Sequence, residues 1–350
     1  MTLLNWTDGS RRDFGKQNLL FNHTLADSEL FSEEALIALI DRYPRESLEV
    51  FTMGYDPTVF GEWHLGRTVS DFGKMDGRAL MAAVKAGRLW LNLRRVNHAD
   101  AAVRELCDRV FAEVKAETGQ TNLKNDLGLL ISSPNAHVVY HLDIPMVMLW
   151  QIRGVKRVYL YPVDAGFFSD TQIEGIALRE SDENLPYATA MDEKALVHDL
   201  KPGEMLSWPQ YAPHRIVNGD MVNVSLSIEF MTPKSLWNAN VLYANGLLRR
   251  WFGLNPSMTK SPKILEPLKI ILARVAKAFG GFKGNKTPLV ERFSLDPARP
   301  GELIYDEGER AFTPPLNWPH PFAVSVPAKD AETIVVPRKR AKPTPNAKAN

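Results

Sequence analysis

Helical periodicity dominates the pattern of apolar and polar positions in the first third of the chain. Ser32 and Asp76 are good N-caps for two amphipathic helices. Between residues 99 and 117, apolar side chains recur at helical spacing and form one face, which contains Cys107. We expect Cys107 to be a buried structural thiol. The pattern predicts an N-terminal α/β region, residues 1–125, that packs on the rest of the chain.

Short apolar segments with turn residues between them fill residues 126–232. They are rich in Val, Ile, Leu, Tyr and Trp, and this pattern is typical of a β-sandwich or barrel. The polar stretch 164–196 has weak periodicity, which predicts a long loop inserted between strands. Loops of this length inside a domain are often functional.

Helical patterns return in residues 233–282. These C-terminal helices could pack on the β core or form a homodimer interface. The cluster 247–252 could instead touch a membrane surface, although we expect no membrane contact. The Pro- and Gly-rich composition after residue 283 and the basic residues near the end predict an extended arm and a basic, disordered tail over residues 283–350.

Composition excludes several classes of protein. The 350 residues carry a formal net charge of +1, which gives no reason to expect a nucleic-acid partner. A single cysteine excludes a disulfide framework and a cysteine-based zinc site. The N-terminus lacks the pattern of a signal peptide, and no run of 18 apolar residues suggests a membrane span. We therefore expect a cytoplasmic protein.

The sequence His141-Leu142-Asp143 is the best candidate for a metal site. On a strand, residues two apart face the same side, so the imidazole and the carboxylate can converge. His214, which follows a turn and a strand, is the candidate third ligand. Two histidines and one carboxylate leave coordination positions open, a geometry that favours Fe(II) oxygen chemistry. Strand alternation would place His137 on the same face, where it is either an outer-shell residue or a packing or surface histidine.

A second candidate is Lys156, which opens a strand after a turn at Gly154. If Lys156 points into the barrel, burial of its ammonium is costly unless an anion meets it. A dicarboxylate ligand would supply that anion. The alternative is a lysine at a surface turn, and we expect Arg153 and Arg157 to lie at the surface.

These motifs together resemble a known family. Residues 125–232 resemble the JmjC-like, cupin-8 branch of the 2-oxoglutarate oxygenases, and within it the asparaginyl hydroxylases that act on hypoxia-inducible factor. The resemblance rests on Leu129-Leu130-Ile131, His141-Leu142-Asp143, Gln151-Ile152, Gly154, Lys156-Arg157, Pro202-Gly203-Glu204, Pro209 and His214. The thirteen-residue step from Asp143 to Lys156 also matches.

The resemblance implies a mainly β fold with flanking helices: a double-stranded β-helix core of the cupin or jelly-roll type, with a C-terminal helical segment. It implies that His141, Asp143 and His214 are the catalytic iron ligands and that Lys156 pairs with the distal carboxylate of 2-oxoglutarate. Relatives often have a threonine where this chain has Val138. The polar residues that assist the cosubstrate are then expected to be Asn223 and Ser225.

The activity that the resemblance implies is hydroxylation of a protein side chain or a small molecule with O2, which releases succinate and CO2. Two alternatives stay open. One is a cupin metalloenzyme that does not use 2-oxoglutarate, and the other is a non-enzymatic binding protein with a cupin fold. The substrate is not identified by these motifs.

Overall fold

Capped helices and short strands alternate in the N-terminal region. The computed structural model describes residues 2–59, 63–66, 75–258, 262–281, 290–309 and 312. Ser32 and Asp76 accept hydrogen bonds from the first turns of their helices, which confirms both predicted N-caps. The elements are α1 (Asp8–Asp13), β1 (Leu19–Asn22), α2 (Glu33–Arg42), β2 (Leu48–Met53), β3 (Trp63–Gly66), α3 (Gly77–Ala86), β4 (Leu89–Leu93), α4 (Val96–Ala99) and α5 (Ala101–Thr118). Cys107 is buried on α5, as predicted.

Eight strands then alternate between two facing sheets, except that the fourth and fifth of them lie in the same sheet. They are β5 (Lys124–Ser132), β6 (His137–His141), β7 (Met146–Arg153), β8 (Lys156–Leu160), β9 (Leu196–Leu200), β10 (Glu204–Trp208), β11 (His214–Asn218) and β12 (Asn223–Met231). The larger sheet contains the order β10-β7-β12-β5, and the smaller sheet has the order β6-β11-β8-β9. All these neighbours pair antiparallel. This alternation is that of a double-stranded β-helix, so the predicted fold class is confirmed.

Strands from both ends of the chain extend the larger sheet. Strand β1 pairs with β10 at one edge, and β4, β2 and β3 continue the sheet beyond β5. In the segment predicted to be an extended arm, β13 (Glu291–Leu295) and β14 (Leu303–Tyr305) continue the sheet beyond β3. The predicted basic tail lies outside the described residues. The division into four regions stays a prediction.

Side-chain alternation gives the larger sheet two apolar faces. One face packs on the N-terminal helices, for example through Leu129 and Leu226. The other face meets the smaller sheet in an inner cluster that includes Leu149 and Val158. Burial of each such side chain contributes roughly 1.5–3 kcal/mol to folding. The part of the barrel interior that this cluster fills is therefore apolar, which matters for any charge placed beside it.

The insertion between β8 and β9 lies where the sequence predicts it but is not a plain loop. It contains α6 (Asp170–Ala177) and a 3₁₀ helix (Thr189–Lys194). Ser169 and Gln172 form a capping box that starts α6, and Ile173 packs on the outer face of the smaller sheet. The apolar side chains of the insertion are divided among short elements, so no long periodic run is visible in the sequence.

Two helices, α7 (Pro233–Phe252) and α8 (Glu266–Ala278), follow the barrel, as predicted. Ala244 and Leu247 of α7 pack against Ala273 and Ala276 of α8. Within the described part of the chain, no helix has the length and apolar character needed to cross a membrane. The cytoplasmic location stays a prediction.

Candidate metal centre

Three side chains converge where two strands of the smaller sheet meet. His141 ends β6, His214 begins β11, and the two residues lie opposite each other in the strand pair. Their ring centroids are 4.1 Å apart, and His214 Nε2 lies 3.4 Å from Asp143 Oδ2. One potential ligand atom from each of the three residues lies within 4.8 Å of the others. Among the described residues, this is the one group of three or more such side chains that could hold a metal ion.

A β-bulge in β6 decides which residues share the ligand face. His214 lies opposite His141, whereas Ile216 lies opposite Val138, so two steps along β11 match three along β6. Val138 and Ile216 both pack in the inner cluster between the sheets. The bulge therefore lets Val138 and His141 face inward together.

His137 faces away from the candidate ligands, so its predicted placement on their face is wrong, and the packing alternative holds. Its Nδ1 lies 2.9 Å from Nη2 of Arg88. Simple alternation places residues 137 and 141 on one face, but the extra residue of the bulge reverses that parity.

Backbone carbonyl groups orient both imidazole rings. Nδ1 of His141 lies 2.8 Å from the carbonyl oxygen of Val139, and Nδ1 of His214 lies 3.1 Å from that of Ala212. A protonated Nδ1 that donates to each carbonyl leaves Nε2 with a free lone pair. This is the tautomer that metal-binding histidines use.

Burial gives the three candidate ligands protonation states that suit a cation. Burial lowers the pKa of His141, and burial together with the nearby His141 lowers the pKa of His214 well below its ordinary value. Both rings are therefore neutral, as a metal requires. Burial and the charge of Glu183 raise the pKa of Asp143 well above its ordinary value. A bound cation would supply the positive partner that an ionised Asp143 needs at this buried position.

The insertion covers the free edge of the ligand strand. The amide of Leu142 donates to the carbonyl of Glu183 at 3.2 Å, and the amide of Leu185 donates to the carbonyl of Tyr140 at 3.0 Å. His141 and Asn184 lie opposite each other in this short bridge. His141 is thus held between β11 and the insertion.

Lys156 points into the barrel from the far end of β8. It has the same parity as Val158 and Leu160, which belong to the inner cluster. The residue is 3% exposed, and burial lowers its pKa to about 7. Among the described residues, no carboxylate pairs with Lys156. Arg157, of opposite parity, pairs with Asp199 at 2.7 and 2.9 Å on the outer face. It is only 2% exposed, so its predicted surface position is wrong: the insertion and the ion pair cover that face.

Asn223 and Ser225 lie on the inner face of β12, but both are engaged by Gln151. Gln151 Nε2 donates to Asn223 Oδ1 at 2.7 Å, and Ser225 Oγ donates to Gln151 Oε1 at 2.6 Å. Their direct role toward a cosubstrate stays a prediction. Gln151 had no predicted role, although a single glutamine in an apolar strand is a visible signal.

Asn218 is a further inner residue that the sequence analysis missed. It lies opposite Lys156 in the pairing of β11 with β8 and is buried. Its Nδ2 donates to Ser132 Oγ at 2.7 Å and to the carbonyl of Ser133 at 2.9 Å. Because these partners lie more than 80 residues away, no local pattern could have identified them.

No family model and no curated protein matches this chain. Among solved structures, that of ycfD from Escherichia coli is 17% identical and has a TM-score of 0.45, over 78% of this chain and 68% of that chain. The structure of YcfD, a ribosomal oxygenase from Escherichia coli, in complex with cobalt and 2-oxoglutarate is 18% identical. Its TM-score is 0.44, over 80% of this chain and 70% of that chain. At these values the likeness assigns no role to any residue of this chain.

Proposed function

We propose that this protein is an Fe(II)- and 2-oxoglutarate-dependent oxygenase. It hydroxylates a protein side chain or a small molecule with O2 and releases succinate and CO2. The buried ammonium of Lys156 carries the proposal, because it lies inside the same barrel as the candidate ligands and is not paired with a carboxylate of the described residues. A lone buried ammonium is unfavourable, so an anionic ligand is expected there.

The spacing along β8 supports a dicarboxylate. Lys156 begins the strand, and Leu160 at its end lies opposite His214. Four strand residues span about 13 Å. A lysine side chain and a five-carbon dicarboxylate, placed end to end, cover a distance of this order. One carboxylate would meet Lys156, and the other end of the molecule would reach the metal side.

The ligand set supports iron. His141, Asp143 and His214 offer two neutral imidazoles and one carboxylate, and this donor set leaves positions open for other ligands. When bound, Fe(II) supplies O2 activation coupled to oxidative decarboxylation of 2-oxoglutarate. The protein's residues hold the ligands, bind the distal carboxylate and keep the interior apolar. Val138 and Leu160 line that interior and exclude water.

The experiment is a turnover assay with anaerobically iron-loaded protein. Succinate formed from 2-oxoglutarate is measured first without substrate and then with peptide and metabolite pools, with mass spectrometry of the products. We expect slow uncoupled turnover and a gain of 16 Da, one oxygen atom, on the true substrate. Tight metal binding without any binding of 2-oxoglutarate would instead support the cupin metalloenzyme.

The exposed face of α8 supports a homodimer through the C-terminal helices. One face of α8 packs on α7, and the opposite face presents Leu268, Ile271 and Val275 to solvent. The flanking residues Ile264, Leu265 and Phe279 are also exposed. An apolar patch of this kind marks an interaction site, and homodimer interfaces are enriched in apolar surface. Sedimentation of the unaltered protein and of Ile271→Glu tests this. A monomeric unaltered protein would exclude the dimer.

A further inference from the structure

A charged cluster lies behind the ligand strands, on the outer face of the smaller sheet. Arg215 of β11 pairs with Asp192, with 2.5 Å between Nη2 and Oδ2, and its Nε donates to the hydroxyl of Tyr161 at 2.9 Å. The hydroxyl groups of Tyr161 and Tyr187 donate to the same carboxylate at 2.5 and 2.9 Å. Asp192 belongs to the 3₁₀ helix of the insertion, whereas Arg215 and Tyr161 belong to the barrel. The cluster therefore ties the insertion to the barrel.

Burial makes the ion pair between Arg215 and Asp192 energetically costly to break. The side chain of Arg215 is 7% exposed and that of Asp192 is 29% exposed. The guanidinium lies 3.4 Å from the ring centroid of Tyr159 and 4.9 Å from that of Tyr187. A guanidinium that is held between aromatic rings loses most of its water, so removal of its carboxylate leaves a poorly solvated charge.

The same insertion contacts the strand that bears His141. Residues 183–185 bridge to residues 140–142 through two backbone hydrogen bonds. Strand β6 is an edge strand of the smaller sheet, so this bridge covers its exposed side. Only six residues separate Leu185 from Asp192, and between them Tyr187 packs near Tyr140 with ring centroids 6.0 Å apart. A displacement of Asp192 would therefore act on residues 183–185 through a short, packed segment.

We propose that Asp192 is a positioning residue. Its ion pair with Arg215 clamps the insertion to the barrel, keeps residues 183–185 on the edge of β6 and so holds His141 in its ligand orientation. The last step rests on the proposed metal centre, whereas the clamp itself does not.

The test compares Asp192→Asn with a matched control, Asp199→Asn. Asp199 pairs with Arg157 on the outer face of the same sheet, but that pair joins β9 to β8 and does not involve the insertion. Hydrogen exchange in the metal-free protein measures protection of the Leu142 and Leu185 amides. We expect faster exchange of both amides in Asp192→Asn and unchanged exchange in Asp199→Asn.

Metal titration provides the second measurement. Co(II) should bind Asp192→Asn about tenfold more weakly, at the low end of what outer-sphere partners of metal ligands contribute. Its visible absorption spectrum should also change, because that spectrum reports ligand geometry. Asp192→Glu, which can re-form the ion pair, should recover part of the affinity. Tyr187→Phe removes one donor to Asp192 and should shift both measurements in the same direction, which gives a milder test if Asp192→Asn does not fold.

Unchanged protection of the two amides in a folded Asp192→Asn protein would overturn the clamp. Lost protection with an unchanged Co(II) affinity and spectrum would overturn the positioning of His141. Failure of the proposed function would show differently. The unaltered protein would then fail to bind 2-oxoglutarate. If it also failed to bind Co(II) while Asp192→Asn still exposed the amides, the result would support the clamp alone.

Discussion

Replacement of Lys156 by alanine is the sharpest test of the cosubstrate site. The ammonium is buried, so little solvent screens it from an anion. A hydrogen bond that involves a charged group contributes about 1.5–3 kcal/mol. Since about 1.4 kcal/mol corresponds to a tenfold change in affinity, 2-oxoglutarate should bind Lys156→Ala roughly 10- to 150-fold more weakly. The 3% exposure of Lys156 favours the upper part of this range.

Calorimetric titration of 2-oxoglutarate into Co(II)-loaded protein measures this change. Lys156→Met separates loss of charge from loss of volume, because methionine fills most of the space. Arg153→Ala is the matched control, since its guanidinium is partly exposed and donates to the carbonyl of Phe31 at 3.2 Å. We expect Lys156→Met to resemble Lys156→Ala and Arg153→Ala to resemble the unaltered protein. Unchanged affinity in Lys156→Ala would place the anion elsewhere in the barrel.

The pH dependence of this affinity follows from the same burial. In the free protein the pKa of Lys156 is lowered to about 7, whereas a paired carboxylate favours the protonated form. Affinity should therefore be constant below pH 7. Above pH 7 it should fall by up to about tenfold per pH unit, because the ammonium must first regain its proton. Lys156→Arg keeps its charge and should show no such fall over this range. A flat profile in the unaltered protein would refute the argument.

Three further outcomes follow from the structure. Asp143→Asn should abolish tight Co(II) binding without lowering the thermal midpoint of the metal-free protein, because burial already disfavours the ionised carboxylate. His137→Ala should leave Co(II) affinity in the same titration unchanged, because its ring contacts Arg88 on the other face. Urea unfolding of the metal-free protein should show the free energy of unfolding rising above pH 7 by up to about 1.4 kcal/mol per pH unit from Lys156. The unfolded lysine stays protonated in that range while the folded one loses its proton, and Lys156→Met should remove the rise.

The parts of the site that depend on local backbone geometry could be predicted from the sequence. His141 and Asp143 are two residues apart at a strand end, and Lys156 follows a turn that needs glycine. Gly154 has a φ of +77°, and an added Cβ would lie 2.6 Å from the carbonyl oxygen of Val222. The turn therefore fixes where β8 starts, and strand parity then directs Lys156 inward.

The bulge in β6 could not be predicted in this way. It adds one residue to the strand, and its position is visible only in the pairing of β6 with β11. No glycine or proline marks it in residues 137–141. Because of this one extra residue, His137 lies on the outer face and not on the predicted one. For the same reason, Val138 lies on the same face as His141.

Polar partners that lie far apart in the chain could not be predicted from the sequence either. The predicted inner face of β12 was correct for Asn223 and Ser225, yet their partner Gln151 lies more than 70 residues earlier. Arg215 is adjacent to a ligand, but its carboxylate partner lies in a segment without visible periodicity. An ion pair of this kind leaves no local pattern, because each member alone resembles a surface charge. Only the fold shows that the insertion, predicted as a long loop between strands, is fixed to the strand that carries His214 and borders the strand that carries His141.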